Sequence, residues 1–242
     1  MNRKNIGDNT LPTIKGSDLF ILLLTALGMI TICSRSSVLY PLNNWDDANC
    51  IFTVGKSMMN GLVPYRDLLE QKGPLMYFLY GLCWLVSHQS FLGVFLLEII
   101  EAFFFLLFSY KTTFLIIKRR VIILIPFIAL FTYASRSFAQ GGGSAEELCL
   151  PFLACSLWQI IGFETDKEKI SKISLFILGF TAGCVFWIKF SLIGMYVVWF
   201  LYHSCNCIRN KKAAEIIWWR ATGRSGRSTT WVATMSDRTS LS

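Results

Sequence analysis

Six apolar runs, at 19–33, 75–87, 91–117, 121–134, 147–163 and 173–203, leave this 242-residue chain little choice of fold. A spanning helix needs about 20 predominantly apolar residues, and several runs reach that length alone or with their flanks. Charged residues make up 16% of the chain and mean hydropathy is +0.51, whereas soluble domains carry about a quarter charged residues. The expected fold class is all-α: a polytopic transmembrane helix bundle with an outer-face loop carrying juxtamembrane helices. No small-x-small cleavage site follows the run at 19–33, so it reads as a retained first span rather than a signal peptide.

Net charge is +8. The basic residues fall in short segments between apolar runs, as the positive-inside rule expects. No basic patch with interleaved aromatics accompanies them, so nucleic acid is not an expected partner; membrane lipid is. Of eight cysteines, most lie inside apolar runs, where Cys behaves as a small hydrophobe. Cys205-x-Cys207 is the one close pair, and with only His203 nearby it falls short of zinc-ligand spacing.

Three basic clusters set the expected topology: Lys118-Arg119-Arg120, then Lys167, Lys169 and Lys172, then Arg209, Lys211 and Lys212. Counting 75–87 as a full span would put the first cluster outside. At about thirteen residues it is short for a span, and Pro74 suits the first position of a helix. Read instead as a juxtamembrane helix on the outer surface, it returns all three clusters to the cytoplasmic side. The runs 91–117, 121–134 and 147–163 then go in, out and in. The run at 173–203 becomes two short helices with Lys189 near their outer turn. Residues 1–16 form a cytoplasmic N-terminal segment, 17–205 the membrane domain with its outer loop at about 35–90, and 206–242 a basic, Ser/Thr-rich tail. The tail's abrupt change of character after residue 213 reads as disorder, and as the mark of a frameshift or truncation.

The longest polar interval before that tail is Trp45 to Leu75, WDDANCIFTVGKSMMNGLVPYRDLLEQKGPL. Asn44 is expected to cap a helix starting at Trp45, with Asp46 and Asp47 in the first turn, where the helix dipole favours their ionised forms. Ile51, Gly55, Met58 and Met59 share an apolar face. Asn60-Gly61 reads as the helix stop, and Pro64-Tyr65-Arg66-Asp67 as a turn. An acidic first turn is by itself only a helix-start signal. Carboxylates and cations together on one short loop at a membrane surface suggest chemistry.

This combination resembles the membrane glycosyltransferases of the C-type fold: the protein mannosyltransferase and aminoarabinose transferase relatives, and the bacterial family described as RgtA/B/C/D-like. The matching positions are Asp46-Asp47-Ala48, Gly61-Leu62-Val63-Pro64-Tyr65-Arg66-Asp67 and Lys72-Gly73-Pro74-Leu75, the last with Gly73 where the family has Pro. Weaker matches are Gly142-Gly143-Ser144-Ala145-Glu146-Glu147 with Leu150-Pro151-Phe152, where the family's Asn is replaced, and the segment from Gly179 to Lys189-Phe190. The resemblance covers roughly residues 17 to 205. Family members are longer, so the chain reads as an N-terminal portion.

The resemblance implies transfer of a sugar from a polyprenyl-phosphate-linked donor to a glycan, lipid or protein acceptor of the cell envelope. The reaction would take place on the outer face of a bacterial plasma membrane. Asp46 is then the expected catalytic base, with Asp47 orienting it or binding acceptor or metal. Lys72 is the first choice to stabilise the departing phosphate, with Arg66 and Lys189 second. Tyr65, Asp67 and Glu146 are expected substrate contacts. A divalent metal is left open as cofactor, and none is assigned. Glu98 and Glu101, one turn apart in an apolar run, suit a rival reading as a transporter or flippase of lipid-linked sugars, although no internal repeat is evident. A third reading is an inactive fragment of the glycosyltransferase.

Overall fold

The computed structural model describes residues 14–40, 42–68, 70–135, 142–166 and 172–221. Eight α-helices follow one another among them: α1 (Gly16–Cys33), α2 (Asp46–Met59), α3 (Pro74–Val86), α4 (Leu92–Ile117), α5 (Ile125–Tyr133), α6 (Ala145–Asp166), α7 (Lys172–Lys189) and α8 (Gly194–Ala221). Short 3-10 turns at Ile122–Leu124 and Phe190–Ile193 precede α5 and α8. Four segments are long and apolar enough to cross a membrane: Gly16–Cys33, Leu92–Ile117, Ala145–Glu164 and Lys172–Asn206. The protein is an all-α, multi-pass membrane protein. Its outward surface agrees, since Phe20, Leu24, Ile32, Ile100, Phe131 and Phe180 are exposed. In water such a surface would be a large apolar patch; in lipid it is solvated.

The chain divides into two compact units between Ile193 and Gly194. In the second, α8 runs to Ala221, so the first part of the expected tail is helical. Residues 222–242 lie outside the described residues, as do 1–13 of the N-terminal segment and Lys167 and Lys169 of the second basic cluster. Every candidate site residue falls in the first unit, Met1–Ile193.

The centre of that unit is the seam between α1, α4 and α5. Leu22, Ala26 and Ile30 repeat every four residues on α1 and meet Phe95, Ala102, Leu106 and Tyr110 of α4 with Ile125, Ala129 and Tyr133 of α5. One stripe of each helix is thus buried and the rest faces out, the arrangement expected of an amphipathic seam. At one end Asp18 accepts a hydrogen bond from Tyr110 (3.4 Å) and faces Arg120 at 4.0 Å. The start of α1 therefore lies beside the end of α4, and the two helices run antiparallel.

Helix α6 runs parallel to α4. Gly142 and Gly143, just before α6, pack on Glu98 near the start of α4, while Lys111 near its end lies 4.4 Å from the ring of Trp158. Two parallel neighbours need a return between them, and α5 makes it: it begins just after Arg120 and ends with Tyr133 against Phe105. The stretch Ile122–Tyr133 is shorter than a full span, so the expected outward crossing at 121–134 has the right direction but only part of the length. Helix α7 returns antiparallel to α6, with Ser156 and Thr181 hydrogen-bonded at mid-height (2.7 Å) and Lys189 reaching Glu146 at the far end. Arg120 and the start of α7 thus share one end of the unit. Lys72, Glu146 and Lys189 share the other.

The helix at 74–86 has Pro74 in its first turn, where the missing N–H costs nothing, and it is too short to span, as expected. Helix α2 ends at Met59, with Asn60 as its cap and Gly61 at φ +90°. Its start differs from expectation. The helix begins at Asp46, and Trp45 is its cap without a side-chain hydrogen bond. The Asn44 side chain instead accepts from Arg35, and Asn43 takes the local role, its Oδ1 accepting from the Trp45 amide at 3.0 Å.

Candidate functional site

The polar end of the unit is assembled by close backbone approach. Ala48, Ile51, Val54 and Gly55 are the buried face of α2. They lie against α3 with almost nothing between the backbones: a Cβ on Gly55 would sit 2.6 Å from the Gly81 nitrogen and 2.8 Å from the Tyr77 carbonyl oxygen. A second joint ties the start of α3 to the end of α7. The Gly73 amide donates to the Ile188 carbonyl at 3.0 Å, and a Cβ on Gly73 would lie 1.8 Å from the Trp187 carbonyl oxygen. The Pro that the resembled family carries here could neither make that hydrogen bond nor fit.

These two joints bring loop residues distant in sequence to one place. Lys72 Nζ faces Asp47 Oδ2 at 3.6 Å; the lysine side chain is 18% exposed and the aspartate 54%. Such a half-exposed pair stabilises by about 1 kcal/mol or less, so its main effect is to fix the lysine's position. Lys189, the last residue of α7, forms an ion pair with Glu146 in the first turn of α6. Glu146 is also within electrostatic reach of Lys72. Between Lys72 and Lys189 opens a cleft of about 610 Å³, walled by Phe186, Trp187 and Phe190 and edged by Tyr65, Gln71 and Ser191. Two cations over aromatic walls suit a ligand that is anionic at one end and apolar or ring-shaped at the other.

Tyr65 is held to the cleft by an unusual backbone. Its φ is +67°, a conformation rare outside glycine and asparagine. Its amide donates to the Leu68 carbonyl (2.8 Å), its hydroxyl donates to the Lys72 carbonyl, and its ring lies 6.3 Å from that of Tyr77. Partial burial and the nearby Glu70 carboxylate push the Tyr65 phenol above its ordinary range. Burial does the same to Tyr77, whose oxygen accepts from the Lys72 amide at 2.8 Å. Lys72 is thus positioned through its own backbone by two tyrosines.

The expected site residues separate into two groups. Tyr65, Lys72 and Lys189 line the cleft, and Asp47 and Glu146 are held to its two lysines. Arg66 and Asp67 are occupied with each other at 2.8 Å, and Asp67 also accepts from the Val63 amide at 2.8 Å. The Arg66 guanidinium holds the Asp67 carboxyl below its ordinary range. Neither residue edges the cleft, and their geometry is that of a turn. Asp46 is exposed on the first turn of α2 and makes no ion pair among the described residues. Gln71 and Ser191 are the lining residues that carried no signal in the sequence. Glu147 did carry one, the Ser144-x-x-Glu147 pattern: its amide donates to Ser144 Oγ (3.1 Å) and its Oε2 accepts from the Ser144 amide (2.9 Å), a capping box that starts α6.

A resident divalent metal does not fit this arrangement. Among the described residues no three His, Cys, Asp or Glu side chains are placed to hold one, and Asp47 and Glu146 each already face a lysine. Comparison of the chain with family models, with curated proteins and with solved structures finds no match.

Proposed function

We propose that the protein is a glycosyltransferase that moves a sugar from a polyprenyl-phosphate-linked donor to a cell-envelope acceptor, a glycan, lipid or protein. The observation that carries this reading is the cleft between Lys72 and Lys189, with its aromatic wall and with Asp47 on Lys72. As the glycosidic bond to the donor breaks, negative charge develops on the lipid phosphate, and fixed cations in a partly dry cleft stabilise it. Lys72, anchored by Tyr65 and Tyr77, is the first such cation and Lys189 the second. The acceptor must lose a proton as it attacks. Asp46, exposed and without an ion-pair partner among the described residues, is the carboxylate available to take it, while Asp47 is committed to Lys72. In this reading the Lys72 end of the unit faces out of a bacterial plasma membrane and the N-terminus is cytoplasmic.

The test is transfer of radiolabelled sugar from a polyprenyl-phosphate donor by the protein in lipid vesicles. Asp46→Asn and Lys72→Met are each expected to lower turnover by about 100-fold or more. Wild-type turnover in both variants would count against the proposal. The burial of Glu98 and Glu101 (3% and 7% exposed) supports a second reading as a transporter or flippase of lipid-linked sugars. Movement of the lipid-linked sugar that survives Asp46→Asn but is lost in Glu101→Gln would favour it.

A further inference from the structure

Glu98 lies six residues into α4, about 9 Å along the helix from its start, and is 3% exposed. Its two oxygens are in unlike surroundings. Oε2 accepts a 2.6 Å hydrogen bond from Ser34 Oγ at the end of α1. Oε1 is fully enclosed and has no hydrogen-bond partner among the described residues. It faces the Gly142–Gly143 turn so closely that a Cβ on Gly142 would stand 2.7 Å from it and one on Gly143 3.1 Å. The Tyr80 hydroxyl, which could have served it, donates to the Gly143 carbonyl instead.

Among the described residues no cation offsets a charge there. The titratable groups facing Glu98 are Tyr80 and Cys83 from α3, Glu101 from its own helix, Tyr133 from α5 and Glu147 from α6. All are acids, and no Lys, Arg or His among the described residues pairs with Glu98. An ionised carboxylate with one unsolvated oxygen, two buried carboxylates nearby and no counter-charge among the described residues is strongly disfavoured in an apolar bundle. A carboxylic acid loses far less there, because it carries no net charge.

We propose that Glu98 is a proton-binding site, occupied in the folded protein. The neutral acid joins α4 to α1 by its hydrogen bond with Ser34 and packs against the Gly142–Gly143 turn at the entry to α6. Glu146, three residues after Gly143, holds Lys189 at the edge of the cleft, so the packing at Glu98 also bears on that lysine's position. Deprotonation would place a charge against the two glycines and release the turn.

The 242-residue chain in lipid nanodiscs provides the test. Dicyclohexylcarbodiimide, an apolar reagent selective for protonated carboxyls in apolar surroundings, is expected to modify wild-type Glu98 at neutral pH, as read by peptide mass spectrometry. The infrared spectrum should show a carboxylic-acid carbonyl band that shifts in D2O and disappears in Glu98→Gln. That variant, a neutral isostere, should melt within about 3 °C of wild type. Modification confined to Glu101 or Glu147, or an acid band that persists in Glu98→Gln, would overturn the assignment. So would protection of Glu98 by added sodium or calcium at constant pH, which would mean that a metal cation rather than a proton fills the site. The wild-type labelling needs no variant to fold.

Discussion

At the scale of single residues, Gly73 and Asp67 show how differently two positions of one motif can act. Gly73 has φ −76° and ψ 150°, extended backbone that any residue adopts, so its constraint is space and not conformation. Gly73→Ala forces a methyl into the Trp187 carbonyl and is expected to cost about 1–3 kcal/mol, read as a lowered melting temperature. Gly73→Pro should cost more, because the bond to Ile188 is lost as well. Asp67 acts by charge. Its carboxyl is held below its ordinary range by Arg66 and by the Val63 amide, so the turn's stabilisation is fully present above about pH 4, the ordinary carboxylate value. It is lost as pH falls through the lowered value in the folded state. Hydrogen exchange at the Val63 amide should therefore gain protection, relative to its intrinsic rate, as pH rises through the acid range. In Asp67→Asn that pH dependence should be absent. An unchanged profile in the variant would show that Arg66 and Asp67 do not hold the turn.

At the scale of elements, the decisive contact is the crossing of α2 and α3 at Gly55 and Gly81. The sequence places Gly55 on the apolar face of α2, which is where it is found. Nothing in that face says that its partner is a second glycine 26 residues on, or that a Met59 methyl would meet a Cβ on Gly81 at 2.4 Å. Gly55→Leu must push the two helices apart. It should destabilise the protein by about 1–3 kcal/mol and carry Asp47 off Lys72. The expected readout is a fall in sugar transfer that exceeds the loss of folded protein. A variant that melts lower but transfers normally per folded molecule would mean that the α2–α3 spacing does not set the Asp47–Lys72 geometry. The start of α3 was legible from Pro74, whereas the run of α6 was expected to begin at 147 and the Ser144-x-x-Glu147 box that starts it at Ala145 was missed. At α2 the expected cap, Asn44, is engaged by Arg35, and Trp45 stands at the cap without a side-chain hydrogen bond, a competition that local pattern does not register.

At the scale of the whole molecule, the two ends of the first unit differ in their charged groups, and this leads to a labelling prediction. Cys50 is exposed on α2, three residues after Asp47 and so at the Lys72 end. If that end faces outward, a membrane-impermeant maleimide should label Cys50 in intact cells, and Cys50→Ser should lose that label. Labelling of Cys50 only after permeabilisation would reverse the proposed sidedness. The all-helical, membrane-spanning class was settled by the sequence alone, because apolar run length and charge depletion are local quantities that a bilayer reads directly. The short helix after Pro74 was also legible, since a thirteen-residue limit constrains it, and so was the alternation of α1, α4, α5 and α6 relative to one another. Which carboxylate meets which lysine was not. Asp47 with Lys72 and Glu146 with Lys189 are 25 and 43 residues apart; the packing of α6 on α7 makes the second pair, and the backbone joints at Gly55–Gly81 and Gly73–Ile188 bring the first beside it. Those joints depend on missing side chains, and how closely two helices approach at a glycine is decided by the packing of both partners at once.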